Sequence, residues 1–187
     1  MHHNEMWQEF RRNGERVMNG GRLPEKGNPK SGEEDVWTGS VILWLYRRTE
    51  RGVEVLFQRR SNFVDRNPNK WDTSAGGHIN YDESMADAAV REAKEEIGAK
   101  LDKEKLEYSF SLVGSSGYNI LINGYFYDWT GREDDFCFED NEVSEVRWVS
   151  LTEFDDFIEN GDVKKSLKGA YHTLGLTKYW LEYYGNL

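Results

Sequence analysis

A chain of 187 residues with 37% apolar and 14% aromatic content can bury one good core and reads as a single globular domain with extensions. Its net charge of −10 and pI near 5.0 leave no basic stripe for a nucleic-acid backbone, although a small phosphate ester stays admissible because a metal can reverse the sign locally. The single Cys137 excludes an internal disulfide and a multi-cysteine zinc site, and no apolar run is long enough to span a membrane; with no secretory leader in view, the expected location is cytoplasmic.

Residues 5–18 are polar with scattered apolar positions at Met6, Trp7, Phe10 and Val17, a pattern that predicts a short helix. Residues 19–35 carry Gly20, Gly21, Pro24, Gly27, Pro29 and Gly32 among charges and read as a loop or linker. Residues 1–36 are thus expected to be an N-terminal helix and flexible linker, with His2 and His3 on a disordered terminus. Residues 37–187 form the main domain, C-terminal helix included.

From Trp37 the pattern turns to strand. The run Val41-Ile42-Leu43-Trp44-Leu45-Tyr46 is followed, after a polar turn at 49–52, by Val53-Glu54-Val55-Leu56-Phe57-Gln58, which predicts a hairpin at the heart of a sheet. Asn67-Pro68-Asn69 makes a turn, and the small residues Ser74, Ala75, Gly76 and Gly77 let backbone approach a ligand closely. A helix is predicted over 84–97. Beyond it, 106–112 and 118–129 read as strands around a Gly114-Ser115-Ser116-Gly117 turn, and 145–149 as a short last strand. Helices are predicted at 151–158, starting near Thr152, and at 171–184. Strands mixed with three helices, without regular βαβ alternation, predict an α+β sandwich with a mixed sheet.

The 84–97 helix carries the chemistry. Residues 77–99 read GHINYDESMADAAVREAKEEIGA, with Glu92, Glu95 and Glu96 at i, i+3 and i+4 on one turn. At about 100° per residue, Met85, Ala86, Ala89, Ala93 and Ile97 gather on one side, with the glutamates beside that stripe. Asp82, Glu83 and Asp87 suit the positive helix end and Gly98 is a natural C-cap. Such a triplet repels itself by a few tenths of a kcal/mol per pair, so a chain that keeps it uncompensated usually has a cation to put there. The plain alternative is a solvated face partly neutralised by Arg91 and Lys94.

The frame around the triplet is Gly-x5-Glu-x7-Arg-Glu-Ala-x-Glu-Glu-x-Gly-Ala, met by Gly77, Glu83, Arg91, Glu92, Ala93, Glu95, Glu96, Gly98 and Ala99. This resembles the Nudix hydrolase signature at every fixed position, a match expected by chance roughly once in 10⁸ starting points. The resemblance implies a Nudix-type α/β/α sandwich and hydrolysis of the pyrophosphate bond of a nucleoside diphosphate linked to another moiety. It implies Mg²⁺, or Mn²⁺, held by Glu92, Glu95, Glu96 and the Gly77 carbonyl, with Glu83 and Arg91 as structural support. The base comes either from the triplet, at Glu92 or Glu95, or from the acidic loop of Glu139, Asp140, Glu142 and Glu145, where Glu142 is favoured with Glu139 behind it.

Arg59, Arg60 and His78 are the expected contacts to a small phosphorylated substrate, with one of the two arginines equally suited to a surface ion pair and His78 to packing. Trp71, Tyr118 and Tyr125 suit either base stacking or the core, and the aromatic load could also serve a homodimer. The stretch Trp71-Asp72-Thr73-Ser74-Ala75-Gly76-Gly77-His78 is similar to isopentenyl diphosphate isomerase, with Gly76 at the isomerase's cysteine position. Without that thiol the isomerase chemistry loses its acid, which favours water attack. A nucleotide-sensing module without turnover is the reading from another class, and isomerase activity a weaker third.

Overall fold

The apolar run at 41–46 lies inside one long strand, β4 (Trp37–Thr49), which turns back at once into β5 (Gly52–Arg60). Thr49 Oγ1 donates to the Gly52 carbonyl at 2.9 Å, and Gly52 adopts φ 110°, a conformation open to glycine. The structure is a computed structural model and describes residues 6–11, 13–17, 21–22, 36–114, 119–132, 135–139, 141–164 and 171–183. The expectations for His2, His3, most of the 19–35 linker, the tip of the 114–117 turn, Tyr118 and Asp140 lie outside the described residues.

Around the hairpin the strand order is β10 (Val143–Ser150), β5, β4, β9 (Ile120–Asp128), β8 (Glu107–Gly114). The short strands β2 (Glu9–Phe10) and β7 (Ala75–His78) add to β4, and β6 (Trp71–Asp72) adds to β5. β4 and β9 run parallel while the other pairings are antiparallel, so the sheet is mixed as expected.

Alternation along the strands sends side chains into two layers. On one face Val41, Leu43, Leu45 and Leu56 pack with Ala88, Ala89, Ala93 and Ile97 of α1 (Met85–Ile97). On the other, Trp44, Phe57 and Phe126 pack with Phe154, Phe157 and Ile158 of α2 (Phe154–Asn160) and Leu181 of α3 (Tyr171–Tyr183). This is the α/β/α sandwich. Among the described residues no helix is long and apolar enough to cross a membrane.

Two local expectations are corrected. The described part of 5–18 is not helical: β1 (Met6–Trp7) pairs with β3 (Gly21–Arg22), and β2 joins the sheet with Phe10 only 1% exposed. The cause is tertiary, because Gln8 N–H donates to the Ile79 carbonyl at 2.7 Å and Gly39 N–H to the Gln8 carbonyl at 2.9 Å. Thr152 does not start α2 either. Its hydroxyl pairs with Ser150 at 2.9 Å, and the cap is Glu153, which makes no side-chain capping bond.

Candidate active site

Local sequence sets the ends of α1. Ser84 holds the N-cap in extended backbone with its hydroxyl accepting from Asp87 N–H at 3.1 Å, and Gly98 closes the helix at φ 70°. Small alanines then bring α1 down onto β4 and β7. The three glutamates consequently sit at three depths: Glu96 is buried at 4% exposure, the Glu92 side chain is 14% exposed and the Glu95 side chain 46%.

Gly76 and Gly77 form the facing wall. Gly76 N–H donates to Glu96 Oε2 at 2.8 Å, and a Cβ on Gly77 would stand 2.2 Å from Glu92 Oε1. The Gly77 carbonyl accepts from Ser40 Oγ at 2.8 Å, which fixes that peptide against β4. A side chain at 77 would displace the Glu92 carboxylate.

Arg91 ties the pieces together. It meets both oxygens of Glu83, at 2.9 and 3.1 Å, donates to the His78 carbonyl at 2.8 Å, and through Nη1 reaches Glu92 Oε1 at 2.8 Å and Glu95 Oε2 at 2.9 Å. Glu83 Oε2 in turn accepts from Asn80 N–H at 2.9 Å. Loop 78–83 and the acidic turn are thereby locked by one guanidinium.

Burial first, opposed by Arg91 and reinforced by Glu95 and Glu142, pushes the Glu92 carboxyl up to about 7. Burial first and Glu92 second push Glu96 well above the carboxylate range. Burial also lowers the His78 imidazole to about 4, helped by Arg66 and Arg91.

The other expected residues are distributed unevenly. Glu142 lies at the entry to β10, half-buried and within electrostatic reach of Glu92, with its carbonyl accepting from Ser61 N–H at 2.7 Å; Glu139 is exposed. Arg59 bonds Glu145 at 2.7 Å and lies over the Trp71 ring, on the side of the sheet away from α1. Arg60 sits 3.7 Å from Asp72, which also takes Lys164 at 2.9 Å. The His78 ring stacks flat on Trp7, centroids 3.4 Å apart, so it is a packed residue. Trp71 and Tyr125 pack into the two cores.

Two residues escaped the sequence reading. Gln58, 1% exposed, donates from Nε2 to Glu96 Oε2 at 2.9 Å, and Asp72, 6% exposed, pairs with it in register across β5 and β6. The available signal was a polar residue on the Leu56 face of an apolar strand.

An oxygen-only donor set of Glu92, Glu95, Glu96 and the Gly77 carbonyl suits a hard divalent cation such as Mg²⁺ or Mn²⁺. Carboxyls whose proton affinity is held up by burial and by neighbouring carboxylates, a glycine wall against which they pack, and the Gln58 Oε1 atom buried without a partner among the described residues all fit that occupant. Among the described residues no three acidic, imidazole or thiol groups form a ready-made cage. Arg91 Nη1 instead spans Glu92 and Glu95.

The NUDIX domain model matches residues 37–169. Nudix hydrolase 3 of Arabidopsis thaliana is 30% identical over 147 residues, 72% of this chain but 19% of the plant protein, so the chain spans only a part of that relative. An isopentenyl-diphosphate Delta-isomerase of Dinoroseobacter shibae is 31% identical over 119 residues, 62% of this chain and 64% of the isomerase. Among solved structures, the Deinococcus radiodurans protein DR0079 superposes with a TM-score of 0.64 at 21% identity, covering 91% of this chain and 99% of that one. The NUDIX domain of Shewanella oneidensis NrtR, complexed with ADP ribose, superposes at 0.60 and 17% identity over 82% and 93%. With the signature helix, the sandwich and the domain match in agreement, the chain belongs to the Nudix family.

Proposed function

We propose that this protein is a Mg²⁺-dependent pyrophosphohydrolase, with Mn²⁺ as an alternative cation, acting on a nucleoside diphosphate linked to another moiety. The observation that carries the reading is the convergence of Glu92 and Glu96 on the Gly76-Gly77 backbone, where Glu96 accepts from Gly76 N–H and the Glu92 carboxylate occupies the place of a Gly77 side chain. Glu92, Glu95, Glu96 and the Gly77 carbonyl would hold the cation, which would supply charge to polarise the phosphoryl group and to help deprotonate water. Glu95, the most exposed of the three, has only to leave Arg91 to take its place. Glu142 is assigned as the base, supported by its electrostatic reach to Glu92. Arg60, on the same side of β5 as Gln58, is assigned to a substrate phosphate, which it would meet on leaving Asp72 and the Arg66 carbonyl, while Arg59 and His78 are engaged by Glu145 and Trp7. A fold neighbour bound to ADP ribose supports the substrate class.

The isomerase alternative is opposed by Gly76, where a Cβ would stand 2.7 Å from the Val41 carbonyl oxygen. A cysteine there has no room, and Cys137 packs instead against Gly98. The test is a panel of dinucleotides, nucleotide sugars, nucleoside triphosphates and isopentenyl diphosphate with Mg²⁺ or EDTA. Cation-dependent release of a phosphorylated product is expected. Tight binding without turnover would favour the sensor reading.

A further inference from the structure

Gln58 ends the apolar stretch of β5 and faces α1, where a hydrocarbon side chain like that of Leu56 would pack without cost. Among the described residues its amide instead makes one hydrogen bond, from Nε2 to Glu96 Oε2 at 2.9 Å, and its Oε1 is buried without a partner. A buried acceptor left without a donor is a cost that a hydrocarbon at this position would not carry, and what the amide provides in return is its bond to Glu96.

Gly76 N–H reaches the same Glu96 oxygen, Oε2, at 2.8 Å. Two donors converging on one oxygen hold the carboxylate in a single rotamer, and among the described residues Glu96 Oε1 receives no hydrogen bond. Within one amide group the carbonyl oxygen is only about 2.3 Å from the nitrogen. Gln58 Oε1 therefore lies a few ångströms from the Glu96 carboxylate as a second acceptor without a donor. A pair of such acceptors is stabilised by a hydrated cation.

We propose that Gln58 is a positioning residue of the cation site: its N–H and that of Gly76 clamp Glu96 Oε2, leaving Glu96 Oε1 to the cation, whose hydration shell satisfies the Gln58 oxygen. This rests on the cation-dependent reading proposed above. Residues that orient a ligand in this way commonly change metal affinity by about 10- to 100-fold.

The test is Mn²⁺ binding, followed by paramagnetic resonance of the free ion, for the parent, Gln58→Met and the control Leu56→Met. Expected is a loss of about tenfold or more in affinity for Gln58→Met, none for Leu56→Met, and a Gln58→Met urea midpoint no lower than that of the control. Affinity equal to the parent's, or a fall in midpoint without a fall in affinity, overturns the assignment and leaves Gln58 a core residue. A parent that takes up no Mn²⁺ overturns the proposed function itself. If Gln58→Met does not fold, a Mg²⁺ titration of the parent decides by nuclear magnetic resonance. The Gln58 side-chain amide and the Gly76 amide must shift with the same saturation point; a Gln58 amide that stays still while Gly76 moves removes the role.

Discussion

Glu83 meets Arg91 side-on, with Nε at 2.9 Å from one carboxylate oxygen and Nη2 at 3.1 Å from the other. The pair joins the loop before α1 to the second turn of the helix, and the remaining guanidinium nitrogen is the one that reaches Glu92 and Glu95. One bidentate contact thus sets the guanidinium that orients two of the three acidic side chains.

Removing the guanidinium leaves Glu83 and Glu92, 15% and 14% exposed, without the cation that pairs with them. Arg91→Ala is expected to cost about 3 kcal/mol, the order for breaking a buried ion pair, and to lower the melting temperature by about 10 °C. Arg91→Lys keeps the charge but not the fork and should fall between the two. Urea unfolding measures both; a parent-like Arg91→Ala midpoint would show that the network is only superficial.

Gly77→Ala puts a methyl 2.2 Å from Glu92 Oε1, so either the carboxylate or strand β7 must move. Turnover should drop by more than about tenfold, because misplacing a reacting group by an ångström already costs this much. The contrast is Gly175 in α3, where an added Cβ meets nothing within 4 Å. Gly175→Ala should stabilise by about 0.5–1 kcal/mol and leave turnover alone. Steady-state rates and urea midpoints of the two variants check the difference.

What was legible in the sequence was what is local. The alanine stripe and Gly98 each act within a few residues, and α1 ends where they predict and begins one residue after the expected start, Ser84 being its N-cap. Residues 6–10 misled because their strand pairing comes from Ile79 and Gly39, tens of residues away. Arg59 and Arg60 are neighbours in sequence but leave β5 on opposite faces, a distinction only the sheet register supplies. Gln58 was invisible for the same reason: its partner Glu96 is 38 residues distant.

Gly98 stands at φ 70°, and a Cβ there would come within 2.2 Å of Cys137 Sγ as well as against the Cys137 backbone. Gly98→Ala is expected to cost about 1–3 kcal/mol from strain and overpacking. Adding Cys137→Ala should return at least about 0.5 kcal/mol by removing the sulfur, while the backbone part of the cost persists. A double-mutant cycle with strictly additive midpoints would rule out the contact.

The Tyr46 phenol is pushed up to about 12, by burial first and then by Glu107 and Asp128, and its hydroxyl donates to Glu107 Oε1 at 3.3 Å. An unfolded phenol ionises near 10, so the Tyr46 contribution is complete below that pH and is lost as pH rises from 10 through 12. Tyr46→Phe should therefore flatten the alkaline limb of stability against pH. Superimposable limbs for the two proteins would exclude the shift.

Glu142 and Glu139 separate the two sources of a base. Glu142 is half-buried, raises the proton affinity of Glu92, and is held at the mouth of β10 by Ser61, whose N–H donates to its carbonyl and whose hydroxyl donates to the Asn141 carbonyl at 2.5 Å. Glu139 is exposed on the loop before it. A positioned base contributes about 10²–10⁴-fold to a proton transfer, whereas a solvated carboxylate contributes little beyond long-range charge. Glu142→Gln should accordingly lower kcat by at least about 100-fold with little change in KM, and Glu139→Gln should stay within about twofold of the parent. The amide keeps the shape and hydrogen-bonding capacity of Glu142, so the strand register should survive, which a circular dichroism melt checks. Were Glu142→Gln to turn over at the parental rate under saturating Mg²⁺, the base would have to come from Glu92 or Glu95 on the helix.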